Sequence, residues 1–324
     1  MTTQVSILVP VYKASSFIEQ CVHSLFCQTF QHIEYIFVND ATPDDSIEKL
    51  QKVIECYPNR QKQVKIIHNT VNQGIGASRN IAINNSEGKY LLFVDSDDYI
   101  ELDMVEQLYD KIESEQADIA VCDFSIENKK KSVVVIDEIF NSVEERLNNI
   151  LKTTSTYTWN KLIRKDLYYH KDFQMPKGLR YCEDVSLIIQ LYFLTDKVVK
   201  VNKPLYHYVN YNSSSITATR NRMHFECAVS VWNLVENIFK KYKQYDKYKD
   251  TLDFLKINHK ASLMLATNTS SLRKEYASLW YAEETRCFNK LKRGRKIITY
   301  LIRHRLFALA QGYHLGVVVV NSFK

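Results

Sequence analysis

No run in the 324 residues approaches the ~18 uninterrupted apolar positions a membrane-crossing helix needs, so the chain is expected not to span a bilayer. Cysteine pairs at metal-binding spacing are also missing. The seven cysteines (Cys21, Cys27, Cys56, Cys122, Cys182, Cys227, Cys287) are odd in number, scattered, and form no C-x-x-C. This speaks against a disulfide framework or zinc site and for reduced thiols in a cytoplasmic protein. Met-Thr-Thr-Gln leads straight into the apolar Val5–Val11, with no basic stretch or cleavage site, so no secretion signal is expected. Glycine is scarce, at seven residues, yet Gly74, Gly76 and Gly88 fall close together. Acid is absent from residues 287–324, which carry eight basic residues. Removing those eight from the 43 in the chain leaves 35 basic against 37 acidic residues, a balance that excludes a general nucleic-acid-binding surface.

An apolar content of 45% is enough for a real core, and the length favours one large domain with a smaller appendage. The first half alternates strand and helix signals, the pattern of a parallel α/β sheet. Strands are expected at Val5–Val11, Ile33–Val38, Val64–Ile67, Tyr90–Val94 and Asp118–Phe124. The first helix should begin at a capping box, Ser16 with Glu19, and the second at Thr42 with Pro43 as its first residue. A helix starting near Ala77 and another carrying Leu102, Val105, Leu108 and Ile112 inward follow. Trp159–Ile163 reads as a strand, Lys171–Leu179 as a loop and Asp184–Phe193 as a helix. From Arg222 the pattern is helical, with a further strand run at Val317–Val320.

The richest segment is Tyr90-Leu-Leu-Phe-Val-Asp-Ser-Asp-Asp98, an apolar strand that ends in three carboxylates. Such a run cannot enter a dry core unpaired, since a buried lone carboxylate costs several kcal/mol, roughly. Hard cations such as Mg²⁺ or Mn²⁺ take oxygen ligands and share their shell with substrate phosphates, so a metal-bound phosphate ester is implied, against the plainer alternative of acids capping the next helix. Three loops end successive strands at the edge where open α/β sheets bind ligands: Pro10-Val11-Tyr12-Lys13, Asn39-Asp40-Ala41-Thr42 and Asp95-Ser96-Asp97-Asp98. A nucleotide diphosphate needs the aromatic face, the carboxylate and the metal these offer, with Arg79 as a fixed cation.

At these residues the chain resembles the family 2 inverting glycosyltransferases of GT-A fold. The matching segments are Val5–Tyr12, Glu34–Asp40, Asn72-Gln-Gly-Ile-Gly-Ala-Ser-Arg-Asn80, Gly88–Asp98, Trp159-Asn-Lys-Leu162 and Glu183-Asp184, in the family's order. The resemblance implies a mostly parallel sheet flanked by helices in a catalytic domain, 1–215, and a helical region, 216–324. It implies nucleotide contacts from Pro10, Tyr12 (packing on the base), Asp40 (reading its edge), Arg79, Asp95 and Ser96. Asp95 and Asp97 would bind Mg²⁺ or Mn²⁺, with Asp98 an adjacent ligand, and Asp184 would be the general base. The implied reaction is a single in-line displacement from a UDP-hexose to a glycan or lipid-linked glycan hydroxyl, in polysaccharide assembly. The chain departs from the pattern at Lys13, where Asn is typical, and at Ala41 and Ala82, where Gly is. Q-x-x-R-W is absent, which favours single addition. His207 is open between a metal or acceptor contact and aromatic packing, and Lys203 and Ser213–Ser215 are candidates for phosphate or acceptor.

Two other readings stand beside this one. A non-catalytic sugar-nucleotide or glycan-binding relative would keep the fold, and a nucleotidyltransferase would show a glycine-rich first loop, which Val9–Ala14 lacks. Residues 290–310 pair basic with apolar positions, as in either an interfacial helix or a packed helix with a solvated basic face. The expectation is peripheral docking on the cytoplasmic leaflet.

Overall fold

The apolar runs read from the sequence become the interior of a sheet. The computed structural model describes residues 3–322 except 141, 154–155, 174–175, 177 and 213–219. The chain divides into two compact units, 1–214 and 215–324. The first begins β1 (Val5–Val11), α1 (Ile18–Phe26), β2 (Ile33–Asn39), α2 (Ser46–Glu55), β3 (Val64–His68), α3 (Ile75–Asn84), β4 (Tyr90–Phe93) and β5 (Tyr99–Ile100). It continues with α4 (Met104–Ser114), β6 (Ile119–Asn128), β7 (Lys131–Val135), α5 (Val143–Thr153), β8 (Lys161–Arg164), α6 (Glu183–Leu194) and β9 (Val198–Val209). The sheet order is β3-β2-β1-β4-β8-β6-β9-β5, with β7 on β6.

β3, β2, β1 and β4 are parallel, so their carboxyl ends form one edge. β8 runs antiparallel to β4 and β6, while β9 is parallel to β6 and antiparallel to β5. This mixed half brings β5 and β9 alongside the acid loop. One core contains Val5, Ile7 and Val9 of β1, Tyr35 and Phe37 of β2, and Trp159 and Tyr206 from the later half. Gly88 lets the turn before β4 lie against β1, since a Cβ there would sit 2.6 Å from the Ser6 hydroxyl.

Helix starts differ from those the sequence suggested. Phe17, not Ser16, precedes α1, and no side chain caps it. α2 begins at Ser46 rather than at Pro43, because Asp44 Oδ1 accepts from the Thr42 and Ser46 hydroxyls (2.7 and 2.5 Å) and holds 42–45 as a turn. Leu102 lies outside α4 and is exposed. Val317–Val320 belongs to a helix running from Phe307 to Ser322, since the preceding residues already propagate helix.

The second unit consists of α7 (Arg222–Lys241), α8 (Tyr245–Ala266), α9 (Ser270–Tyr276), α10 (Tyr281–Cys287), α11 (Arg293–Arg303) and α12 (Phe307–Ser322). α7 starts in a capping box of Asn221 and His224. α8 packs against α7, α10, α11 and α12. Buried Lys260 pairs with buried Glu284 at 2.8 Å, and Arg286 with Asp253 at 2.9 Å. Lys256 pairs with Glu236 and lies 3.5 Å from Glu283. Among the described residues no helix is long and apolar enough to cross a membrane.

Lys13 and Ala41, which depart from the Asn and Gly of the family pattern, both stand at φ 52°. Left-handed backbone strains a residue with a Cβ by about 1–2 kcal/mol, part of which glycine returns as unfolded-chain entropy. Ala41→Gly is therefore expected to raise unfolding stability by roughly 0.5–1 kcal/mol in a urea titration. An unchanged or lower midpoint would show that Ala41 is unstrained.

Candidate active site

The acid loop leaves β4 under two restraints. Val94 N donates to Leu8 O at 3.0 Å, and the Asp95 N–H donates to the Tyr206 hydroxyl at 3.1 Å. That hydroxyl in turn donates to Asp98 Oδ2 at 2.7 Å, and Asp98 Oδ1 accepts from Val209 N at 2.7 Å. Asp98 is 1% exposed, so it holds the loop down onto β9 and is not presented to the opening as an adjacent ligand. Burial, then the charges of Asp97 and Asp95, push its carboxyl well up. Ser96 is buried beside it.

Asp95 and Asp97 are only part-buried. Asp97 Oδ2 accepts from Asn212 Nδ2 at 2.7 Å. Burial and the neighbouring Asp95 push Asp97 up to about 6. Among the described residues Arg79 is the one cation paired to the Asp95–Asp98 loop, so this donor set is rich in carboxylate oxygen and short of positive charge. A hard divalent cation fits it.

Arg79, on α3, is 3% exposed and does not stand free as a phosphate-binding cation. Its Nη2 donates to Asp95 Oδ1 at 3.0 Å and its Nη1 to Glu183 Oε1 at 2.5 Å. Burial opposes its charge, but Asp95, Glu183 and Asp184 hold the guanidinium above its usual range. Glu183 and Asp184 open α6, immediately after Cys182 in left-handed conformation at φ 61°. Burial, then the charge of Glu183, push Asp184 up to about 7, with Arg79 opposing. Asp184 accepts the N–H of its neighbour Val185 at 2.9 Å and is part-exposed.

On the other flank, Asp40 directly follows β2 and is 3% exposed. Its Oδ1 accepts from Asn69 Nδ2 and Gln73 N, both at 2.8 Å, and its Oδ2 from Gly74 N at 2.7 Å. Gly74 turns that N–H inward at φ 89°. Asp40 thereby ties the glycine loop to the sheet edge. Tyr12 is 43% exposed beyond β1, and Pro10 pairs with Val38 within the sheet. His207 stacks on Tyr99 (4.4 Å between centroids), and its two nitrogens face Glu127 and Glu101 at 2.9 and 2.8 Å. Both ring nitrogens are thus engaged away from the acid loop. Lys203 lies 3.7 Å from half-buried Asp103, and Ser213–Ser215 fall outside the described residues.

Three partners were not legible in the sequence. Glu183 stands out in the sequence only as the neighbour of Asp184, and Tyr206 on β9 and Asn212 just beyond it carry no local signal. Trp159-Asn-Lys161 acts as a buried lock. Lys161 Nζ donates to Asn160 Oδ1 (2.8 Å) and Asp137 Oδ2 (3.2 Å), and Asn160 Nδ2 donates to Cys122 O (2.8 Å).

This architecture is that of the GT-A nucleotide-sugar transferases. Staphylococcus aureus TarS 1–349 in complex with UDP superposes with a TM-score of 0.60 at 18% identity, over 96% of this chain and 90% of that one. Mannosyltransferase PcManGT from Pyrobaculum calidifontis, in complex with GDP-Man and Mn²⁺, gives 0.54 at 12% identity, over 96% and 86%. Residues 6–174 match the model of glycosyl transferase family 2, and the chain belongs to that family. The putative glycosyltransferase EpsH of Bacillus subtilis (strain 168) is 29% identical over 287 residues, 86% of this chain and 81% of EpsH.

Tyr206→Phe removes one hydroxyl but orphans both a buried Asp98 oxygen and the Asp95 N–H. The variant should lose roughly 2–3 kcal/mol of unfolding free energy by chemical denaturation. A loss below about 0.5 kcal/mol would mean that water replaces the clamp.

Proposed function

We propose that the protein transfers a hexose, with inversion, from a UDP-sugar to a hydroxyl of a glycan or lipid-linked glycan during cell-surface polysaccharide assembly. The observation that carries this reading is the Arg79 bridge, which joins the acid loop through Asp95 to the Glu183-Asp184 turn. Inverting displacement needs the donor's leaving group and the acceptor's base on opposite sides of one carbon, held at fixed separation. Asp95 and Asp97 form the donor side, and Asp184 forms the acceptor side. Tyr12, 43% exposed, is offered to the base with Pro10 beside it, whereas Asp40 and Ser96 are buried and shape that edge from behind. Asp40 has both oxygens engaged by the glycine loop and is not free to read the base. TarS, which shares the fold, is described with UDP, and this favours uridine.

Asp97 and Asp95 would hold Mg²⁺ or Mn²⁺, which would supply positive charge to the departing diphosphate. Arg79 does not deliver that charge directly, because its guanidinium is already spread over two carboxylates, and it acts by fixing Asp95. Asp184 accepts the acceptor proton, and its position near pH 7 lets it do so at neutral pH.

Two outcomes test the reading. Asp184→Asn should lower kcat for transfer by roughly 10²–10⁴-fold while calorimetric UDP affinity in Mn²⁺ stays unchanged. In the unmodified protein kcat should climb as pH rises through about 7 and level off above it, since only the ionised carboxylate takes a proton. Normal turnover by the Asn variant would remove Asp184 as the base. Failure to bind UDP, GDP or CDP would favour the non-catalytic reading.

Peripheral membrane contact through residues 290–310 belongs to the same proposal, with a changed basis. α11 turns Ile298 and Ile302 inward, and the exposed apolar residues are Tyr300, Leu306 and Leu309. Replacing Lys292, Arg293 and Lys296 with Gln in the full chain should weaken co-sedimentation with anionic phosphatidylglycerol vesicles at least tenfold, at ~1 kcal/mol per charge near the surface. Equal sedimentation by the two proteins would end the idea.

A further inference from the structure

We propose that Tyr157 is the platform on which the acceptor's sugar ring stacks, beside the proposed base. The inference rests on the transferase reading and identifies where its second substrate sits. Tyr157 precedes β8 in a segment with no regular structure, yet its ring is rigidly supported. It stacks on Trp159 at 4.7 Å between centroids and 22° between planes. Phe124 meets both rings edge-on, at 5.6 and 4.8 Å. Trp159 stacks in turn on Tyr206, at 4.3 Å and 21°. Tyr206 holds Asp98 and the Asp95 N–H, so the three rings form a ladder whose inner end is the clamp of the acid loop.

The outer end behaves differently. Trp159 is 4% exposed and Tyr206 fully buried, whereas Tyr157 is 38% exposed. Tyr157 thus carries the ladder out to the surface. Burial first, and then the charges of Asp184 and Asp137, hold the Tyr157 hydroxyl above its ordinary range, so the base lies within electrostatic reach of this ring. Asp137, the other charge acting on it, is already paired with buried Lys161.

A pyranose carries C–H groups on one face and hydroxyls around its rim, so it is bound by an aromatic face below and polar groups at the edge. Tyr157 supplies the face and Asp184 the polar group at the edge. Because the ladder is anchored on the loop that carries Asp95 and Asp97, an acceptor resting on Tyr157 is referenced to the donor site. Such pre-set geometry is what an in-line displacement requires.

The test is saturation-transfer NMR on the full-length protein with UDP and Mg²⁺, adding methyl β-D-glucoside, methyl β-D-galactoside or methyl N-acetyl-β-D-glucosaminide. Signal is expected on the ring C–H protons of at least one glycoside. Tyr157→Ala should reduce it roughly tenfold, the scale of one aromatic contact, while Tyr157→Phe keeps it. The UDP signal should be the same in all three proteins, which also reports that the Ala variant is folded. Undiminished glycoside signal in Tyr157→Ala overturns the proposal, as does absence of glycoside signal in a protein that binds UDP. Equal loss of glycoside and UDP signals in the Ala variant overturns it too, because Tyr157 would then be structural. A wild-type protein silent towards UDP instead removes the transferase reading, and the platform with it.

Discussion

A single buried guanidinium connects the halves of this site. Arg79 and Glu183 are 104 residues apart in sequence, and their contact ties the turn that opens α6 to the parallel half of the sheet. Burying an arginine is unfavourable unless its charge is met, and here two carboxylates meet it, one at each terminal nitrogen. Neither carboxylate could be removed cheaply, because the other charges would then be left buried and unbalanced. The arrangement contributes little net stability by this logic. It contributes definition, fixing where the Asp95 carboxylate lies and where Glu183 opens α6.

The same economy appears at Asp98. A third carboxylate in the loop looks like surplus metal-binding capacity, but it is consumed by one phenol and one backbone N–H. Tyr206 donates to Asp98 and accepts from Asp95 N, so one hydroxyl satisfies a side chain and a backbone group three residues apart. Loop shape and donor chemistry are thereby separated: Asp98 sets the shape, and Asp95 and Asp97 keep oxygens at the opening. The aromatic ladder behind Tyr206 extends that rigidity through Trp159 to Tyr157.

The sequence was most legible where one physical signal dominated. β1, β2 and β4 are buried on both faces, so their runs are almost wholly apolar and their ends could be read to within a residue. β9 reads Val-Val-Lys-Val-Asn-Lys-Pro-Leu-Tyr-His-Tyr-Val and escaped notice, because its outer positions are polar and its register breaks at a bulge beside Asp123. Local capping rules failed at α1 and α2 for a tertiary reason, since Thr42 Oγ1 accepts from Lys13 N and Ser46 Oγ from Ala14 N, across the loops. At the site, Asp40, Asp95, Asp97 and Asp184 were visible as carboxylates after or before regular elements. What Arg79 binds was not visible, because a partner so distant in sequence leaves no local trace.

The acid-free tail shows how a composition signal changes meaning once the chain is folded. Read linearly, its eight basic residues look like a free cationic surface. In the folded unit Lys290 pairs with Asp250, and Arg303 lies 4.2 Å from the ring centre of Tyr281 and 4.0 Å from buried Glu284. Two of the tail's charges therefore balance acids on α8 and α10. Lys292 and Arg293 remain exposed at the start of α11, whose apolar residues Ile298 and Ile302 are already buried. Attraction of this helix to an anionic surface would be carried by charge more than by apolar insertion. It would accordingly weaken as added salt shortens the Debye length from roughly 10 Å at 0.1 M to 3 Å at 1 M, whereas burial of an apolar face would not.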